Sequence, residues 1–421
     1  MDQFIIEGGV PLRGTVRISG SKNAALPIMA ATLLAPGVYR IHNVPRLRDV
    51  RTMAHLLRII GAKVEFEDHT LQIDTSRADF PEAPYELVKT MRASIYVLGP
   101  LLARMKRARV SLPGGCAWGP RPVDLHLRGM EKLGAHLELD RGYIVARTDG
   151  LKGATIYLDV SSVGATGNIM MAATLARGTT IIENAAEEPE IVDLGHFLQR
   201  MGARIQGLGS KTIRIEGVEA LHPTDYTIIP DRIEAGTFLV AGLITGGQVT
   251  LTHCQPDHLQ EVLAKLQEAG AQLRIDRDTI SLTASDRIRP THVTTAVYPG
   301  YPTDMQAQWI ALMALAEGSS VITDTIYPDR FTHVPELQRL GADIILKNNS
   351  AFVRGVKKLK GAPVMSTDLR ASASLVLAAL AAEGQTEVLR VYHIDRGYER
   401  IEEKLQQLGA RIQRIDDGKL Y

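Results

Sequence analysis

The sequence predicts an α/β protein made of six repeats grouped as two three-repeat domains, and three observations carry that reading. One short phrase, an apolar pair with Leu or Met followed by Gly-Ala, recurs six times along the 421 residues. Every recurrence closes a segment with the same internal order. The N-terminus supplies a stretch that the last segment lacks.

The phrase reads LLRIIGAKVEF around Gly61, MEKLGAHLEL around Gly134, LQRMGARIQG around Gly202, LQEAGAQLRI around Gly270, LQRLGADIIL around Gly341 and LQQLGARIQRI around Gly409. Successive glycines lie 73, 68, 68, 71 and 68 residues apart, and a near-fixed period over a whole chain marks a repeat architecture. Each repeat opens with a polar segment leading into an Ala/Leu-rich run, as in SKNAALPIMAATLLA, SSVGATGNIMMAATLA and DLRASASLVLAALAA. Such runs are helix formers. Gly37, Gly178, Gly247 and Gly318 then fall where a helix C-cap would sit. A β-branched stretch follows (TTIIEN, QVTLTH, SSVITD) and reads as a strand. After a loop comes a second helix with apolar residues at helical spacing, ended by the Gly-Ala, and then two short alternating strands. The order helix, strand, helix, strand, strand, repeated with a shared core, is an α/β architecture.

The last repeat stops at LQQLGARIQRIDDGKLY, whereas others continue into a strand such as IRIEGVEAL or FVRGVKKLKGAPV. FIIEGGVPLRGTV, from Phe4, has the matching pattern. Residues 1–20 are therefore expected to complete the final repeat. One domain then covers 21–229 and carries the Cys116 loop; the other covers 1–20 plus 230–421 and is closed by the N-terminal strand. Chain crossings near residues 20 and 230 would form a hinge. A continuous solenoid is the alternative, but nothing resembles the polar capping repeats that it needs.

Composition narrows the function. Charges balance, 48 Lys+Arg against 47 Asp+Glu for a net +1, which argues against a nucleic-acid partner held by a single-sign field. Aromatics are 5% beside 37 Gly, a poor composition for base-stacking platforms. Cys116 and Cys254 make no disulfide framework and point to a reducing compartment. The N-terminus MDQFIIEGGVPLRG has no basic stretch leading into an apolar one, and no apolar run approaches the ~18–20 residues needed to span a bilayer. The expectation is a cytoplasmic protein without membrane or nucleic-acid partners.

The helix openings differ chemically. They read Ser21-Lys22-Asn23, Thr90-Met91-Arg92, Ser161-Ser162-Val163-Gly164, Asp231-Arg232-Ile233-Glu234, Pro302-Thr303-Asp304 and Asp368-Leu369-Arg370. A helix N-terminus offers unpaired N–H groups and about half a positive charge, so it receives anions. A cation there opposes the macrodipole, yet four of the six openings carry one. Pairing with nearby acids is the bland explanation, as Arg232 could do with Asp231 or Glu234. For Lys22, Arg92 and Arg370 together, capture of an anionic ligand accounts better for the pattern.

The segment Pro113-Gly114-Gly115-Cys116-Ala117-Trp118-Gly119-Pro120-Arg121-Pro122-Val123-Asp124 replaces a shorter loop of the other repeats, and long loops in compact repeats carry function. Gly119 gives it a possible hinge. Cys116, between small residues and near Arg121, reads as a reactive thiol. Cys254 ends a β-branched stretch and reads as a small buried hydrophobe. His253, Cys254, Asp257 and His258 crowd together, but they occupy an ordinary strand-to-helix loop, and no HExxH or paired CxxC exists. No GxxxxGK[ST] and no GxGxxG after a strand appears either. No metal and no cofactor are expected.

The phrases SGSKNAALP, LVKTMRASI, LPGGCAWGPRPVDLH, SVGAT, DRIEAGTF, PTDMQAQ, DLRASASLVLA and YHIDRGYERI closely resemble the UDP-N-acetylglucosamine 1-carboxyvinyltransferases of the enolpyruvyl transferase family. The resemblance runs along essentially the whole chain, and the Cys116 loop is its most specific part. It implies a two-domain inside-out α/β barrel that closes around its substrates. It also implies transfer of the enolpyruvyl group of phosphoenolpyruvate to the 3′-hydroxyl of UDP-N-acetylglucosamine with release of phosphate, the step that begins peptidoglycan precursor synthesis. By motif, Lys22, Arg121 and Arg396 would grip the phosphate and carboxylate of phosphoenolpyruvate, with Arg330 and Arg370 nearby. Asn23, Arg92, Pro122, Val123, Asp124, Leu125, Ser162, Val163, Gly164, Asp304 and Ile326 would hold the nucleotide sugar. Cys116 corresponds to the family's proton donor, covalent adduct site and fosfomycin target, and Asp304 to the base for the sugar hydroxyl.

These roles suit the chemistry. Addition across an enol ether needs one proton delivered to the methylene carbon and one removed from the hydroxyl. An oxocarbenium-like carbon then forms beside a carboxylate and a phosphate, which fixed cations orient and neutralise in a water-poor cleft. With Lys22 and Arg121 on one domain and Arg330, Arg370 and Arg396 on the other, the site would need interdomain closure. Trp118 stands where the resembled sequences usually carry a small aliphatic residue, and Val160-Ser161 departs as well. Both changes bear on kinetics or inhibitor response rather than on the acid, the base or the phosphate contacts. Two rivals share some of these features. A 5-enolpyruvylshikimate 3-phosphate synthase opens with a Ser-Lys-Ser type phrase and lacks the cysteine loop, so Asn23 and Cys116 argue against it. A silent sensor of nucleotide sugars would not need Lys22, Cys116, Asp304, Arg330, Arg370 and Arg396 intact.

Overall fold

The structure, a computed structural model, describes residues 2–113 and 123–415. The chain forms two compact units, Gly20–Ile229, here the continuous unit, and Met1–Ser19 with Pro230–Tyr421, the split unit. Each has its own hydrophobic core, and the two cores share no residue.

Three helices fill the middle of each unit. In the continuous unit they are Lys22–Ala31, Leu98–Met105 (entered through a 3-10 turn, Arg92–Val97) and Val163–Ala173. In the split unit they are Arg232–Ile244, Gln306–Met313 and Leu369–Ala381. These helices are apolar on every side. Ile233 through Ile244 and Gln306 through Met313 are buried without interruption, as expected of helices with no solvent face. Each Leu, Ile or Phe so placed contributes about 1.5–3 kcal/mol. The second helix of each repeat lies outside and is amphipathic. Arg48–Ile60 buries Val50, Met53, Leu57 and Ile60 at helical spacing. The repeated Gly-Ala ends these outer helices because the glycine takes a left-handed conformation, as at Gly61 with φ 111°, which costs glycine no Cβ clash.

Among the described residues six four-stranded sheets surround the bundles. Here the structure corrects the repeat read from sequence. Each repeat holds one more short strand after its alternating pair, and that strand pairs parallel with the sheet of a neighbouring repeat. In the continuous unit Glu82–Ala83 joins Arg107–Ser111, Thr155–Tyr157 joins Thr179–Glu183, and Asp225–Thr227 returns to Val38–His42. In the split unit Val293–Thr294 joins Ser319–Thr323, Pro363–Met365 joins Gln385–Leu389, and Arg13–Arg17 joins Gln248–Thr252. Three repeats thus pass a strand around a closed ring. The N-terminal strand Gln3–Glu7 lies antiparallel between Gln385–Leu389 and Arg411–Ile415, with Phe4 and Ile6 fully buried. Among the described residues no helix is long and apolar enough to cross a membrane.

Candidate active site

Contacts between the central helices bring their openings near one another within each unit. In the continuous unit, Asn168 of the third helix donates to Ile95 O at 2.9 Å and accepts from Gly99 N at 2.7 Å near the start of the second. At the other end, Arg104 reaches Leu33 O at 3.2 Å. In the split unit, Thr237, near the start of its helix, meets Gln308 at 3.2 Å, itself near the start of the next. Three helix N-termini side by side concentrate N–H groups and positive potential at one end of the bundle.

At the continuous unit's end Ser21 caps the first helix, accepting from Ala24 N, and Lys22 and Asn23 form its first turn. Lys22 Nζ lies 3.4 Å from Asp49 on the neighbouring outer helix, so the acid partner foreseen as the bland explanation is present. Arg92 opens the 3-10 turn of the second helix, and Ser162 caps the third by accepting from Ala165 N at 3.2 Å, ahead of Val163 and Gly164. Val123, Asp124 and Leu125 lead into helix Asp124–Lys132. Cys116, Trp118, Gly119, Arg121 and Pro122 lie outside the described residues. Ser161 turns away to within 3.4 Å of Ala185 O, and Val160 is exposed.

One residue of this end was not singled out from sequence. His126 is buried, and a side chain on Gly164 would approach its Nε2. Burial, and then the nearby charge of Arg92, pushes its pKa from 6.5 to about 3. Asn168 Nδ2 donates to both Ile95 O and His126 Nδ1 (3.1 Å) while its Oδ1 takes the Gly99 N–H. Nδ1 is therefore the acceptor and the ring is neutral with hydrogen on Nε2. A histidine directly after PVDL is unremarkable in sequence; only burial distinguishes it.

The split unit holds the denser cluster. Asp304 stands just before helix Gln306–Met313, with Oδ1 2.8 Å from Arg330 Nη1 and Oδ2 3.1 Å from Arg370 Nη2. Arg370 follows the cap residue Asp368, which accepts from Arg370 N and Ala371 N. Its side chain is only 2% exposed, and its Nε and Nη1 meet no hydrogen-bond partner among the described residues. Burial alone would lower the guanidinium pKa, but Tyr398, Asp304 and Asp231 outweigh it and hold the charge firmly in place. Arg396 ends the 3-10 turn Val391–Arg396, whose Asp395 is gripped by both Nη atoms of Arg414 at 2.6 and 2.9 Å. Ile326 N donates to Asp324 at 3.0 Å.

Other residues singled out from sequence lie elsewhere. Arg232 pairs its guanidinium with the ring of Tyr298, 5.4 Å from the centroid, while Asp231 caps its own helix and Glu234 bonds Lys404 at 2.7 Å. Cys254 is buried with its thiol 3.3 Å from Asp278 O, and burial pushes its pKa up to about 11. Among the described residues no three His, Cys, Asp or Glu side chains group as a metal site.

A carboxylate clamped by two guanidinium groups thus stands where two central helices of the split unit begin. A family model described as EPSP synthase (3-phosphoshikimate 1-carboxyvinyltransferase) matches residues 6–405. A protein of Chloroherpeton thalassium named UDP-N-acetylglucosamine 1-carboxyvinyltransferase is 61% identical over 98% of this chain and 97% of its own. One of the same name from Chlorobium phaeovibrioides is 58% identical over 98% of both chains. Among solved structures, the enolpyruvyl transferase NikO of Streptomyces tendae matches with TM-score 0.89 at 29% identity, covering 98% of each chain. EPSP synthase of Acinetobacter baumannii shares the fold, with TM-score 0.77 at 19% identity over 99% of this chain and 100% of that one. The chain belongs to the enolpyruvyl transferase family and is an enzyme.

Proposed function

We propose that this chain transfers the enolpyruvyl group of phosphoenolpyruvate to the 3′-hydroxyl of UDP-N-acetylglucosamine, releasing phosphate, as the entry step to peptidoglycan precursors in the cytoplasm. The observation that carries the reading is the 61% identity, over nearly the full length, to a relative bearing that activity's name. Shikimate 3-phosphate as acceptor is the poorer choice, because the EPSP synthase structure is only 19% identical. The geometry of Asp304 and Arg370 adds support. A buried guanidinium whose Nε and Nη1 meet no hydrogen-bond partner among the described residues is costly unless an anion takes them.

In this reading Lys22, Arg121 and Arg396 bind the phosphate and carboxylate of phosphoenolpyruvate, with Arg330 and Arg370 adding charge. Asn23, Arg92, Pro122 to Leu125, Ser162 to Gly164, Asp304 and Ile326 bind the nucleotide sugar. The Cys116 thiol gives its proton to the methylene carbon while the sugar oxygen bonds to the neighbouring carbon and yields its proton to Asp304. The adduct carries a methyl group, a carboxylate, the sugar and the phosphate on one carbon. The Cys116 thiolate takes back a methyl proton as the carbon–oxygen bond to phosphate breaks, which restores the vinyl ether, and the phosphate leaves with the proton held by Asp304. Cations beside the carboxylate and phosphate stabilise the charge that develops.

The test is phosphate release from phosphoenolpyruvate with either UDP-N-acetylglucosamine or shikimate 3-phosphate as acceptor. Turnover with the nucleotide sugar alone is expected. Turnover with shikimate 3-phosphate, or binding of the nucleotide sugar without turnover, would overturn the assignment.

A further inference from the structure

Asp324 follows strand Ser319–Thr323, is fully buried, and has no role in the reading above. Its carboxylate accepts four hydrogen bonds from three segments. Oδ1 takes the Thr295 hydroxyl at 2.8 Å, Ile326 N at 3.0 Å and Tyr327 N at 2.9 Å, and Oδ2 takes the Thr303 hydroxyl at 2.8 Å. The Thr303 oxygen in turn accepts from Arg330 Nη1 at 3.1 Å, the nitrogen that also reaches Asp304 Oδ1 at 2.8 Å.

The fold does not need an acid here. In four other repeats the residue after the equivalent strand turns the chain with a left-handed φ: Asn43 at 60°, Asn184 at 56°, His253 at 55° and Arg390 at 59°. A buried carboxylate costs several kcal/mol unless every lone pair is used, and it stands where the chain passes Asp304. Thr303 has a single hydroxyl hydrogen. With that hydrogen held by Asp324, its lone pairs face Arg330 and it cannot donate to Asp304 in competition with the guanidinium.

We propose that Asp324 is a positioning residue for the transfer. Through Thr303 it fixes the Arg330 guanidinium and hence the Asp304 carboxylate, and through two N–H groups it sets the backbone at Ile326. The inference rests on the reading of Asp304 as the group that acts on the sugar hydroxyl.

Asp324→Asn tests the chemistry at nearly constant shape. Its amide oxygen can keep the three donors on Oδ1, while its NH₂ reverses the bond to Thr303 and frees the threonine hydrogen. Thr303→Val removes the same link from the other end, and Thr303→Ser keeps it. With phosphoenolpyruvate and UDP-N-acetylglucosamine, Asp324→Asn and Thr303→Val are each expected to lower kcat by on the order of 10-fold, with KM for phosphoenolpyruvate nearly unchanged, because a displaced group in the reacting constellation costs the chemical step. The double variant should lose little more than the worse single, as two ends of one link are not additive. Thr303→Ser should recover most of the rate. If Asp324→Asn fails to fold, Thr303→Val against Thr303→Ser decides. Near wild-type kcat in both variants, independent losses, or equal loss in Thr303→Ser and Thr303→Val would overturn the proposal. An inactive wild-type chain would instead refute the functional reading, and the inference with it.

Discussion

At residue scale the chemistry turns on a few ionisable groups whose protonation the surroundings fix. Cys116→Ala is expected to abolish fosfomycin modification and lower turnover by at least ~10²-fold, the usual range for a lost general acid. Cys116→Asp, still an acid but a poorer nucleophile, should turn over and resist the drug; inactivity of the Asp variant would count against proton delivery. His126 gives a stability prediction. The native ring takes up only near pH 3 a proton that the unfolded chain already binds below 6.5. The unfolded state therefore binds more protons in that window, and stability falls as pH falls, by about 2 kcal/mol between pH 7 and pH 5. Asp193 acts in the opposite sense, since burial outweighs its bonds from Tyr226 and Ile229 and lifts it from 3.8 to about 6. Urea midpoints at pH 7 and pH 5 should thus show a larger drop in wild type than in His126→Asn. Equal drops would mean that the native ring takes up protons like the unfolded one.

At element scale the repeat was legible wherever a segment had a period. The central helices announced themselves by Ala/Leu runs, the outer ones by helical spacing, and their ends by the repeated Gly-Ala. The additional strand was not where it is shortest, because Glu82–Ala83 and Val293–Thr294 are two residues long and two residues have no alternation. The site was legible as a set of helix openings, while the pairing of Asp304 with Arg330 and Arg370 depends on which helices become neighbours. His126 and Asp324 were invisible for the same reason, since burial by distant segments makes them matter. Packing also explains glycines that no motif explains. Gly355 follows strand Ser350–Arg354, and a Cβ there would overlap the Ala316 carbonyl oxygen. Gly341 has φ 95° and open space where its Cβ would stand. Gly341→Ala should cost about 1 kcal/mol, the strain of the left-handed conformation. Gly355→Ala must move backbone and should cost about 1–3 kcal/mol or more. Urea denaturation of both variants measures the difference, and the reverse order would show that the backbone at Ala316 yields easily.

At the scale of the whole molecule, the N-terminal strand is the piece whose removal the architecture answers for. Gly8 N bonds Gly384 O at 3.2 Å just as Gly217 N bonds Gly178 O and Gly355 N bonds Gly318 O, both at 2.9 Å. Residues 3–8 therefore occupy in the sixth repeat the place that 212–217 and 350–355 occupy in the third and fifth. Deleting residues 2–8 removes two fully buried side chains, Phe4 and Ile6, worth roughly 3–6 kcal/mol together. It also strips hydrogen-bond partners from two strands at once, and unpaired buried backbone groups are expensive. Amide exchange should accelerate first in Gln385–Leu389 and Arg411–Ile415, then through helix Leu369–Ala381 packed beside them. Helix Val163–Ala173 should keep its protection, since its core contains no residue of the split unit. A peptide of residues 2–9 added in trans should restore the lost protection, because it carries the strand that fills the sixth sheet and nothing that competes with the remaining chain. Unchanged exchange in the truncated chain would show that the sixth repeat closes without its N-terminal strand, and the ring of three repeats would then owe its closure to the helices alone.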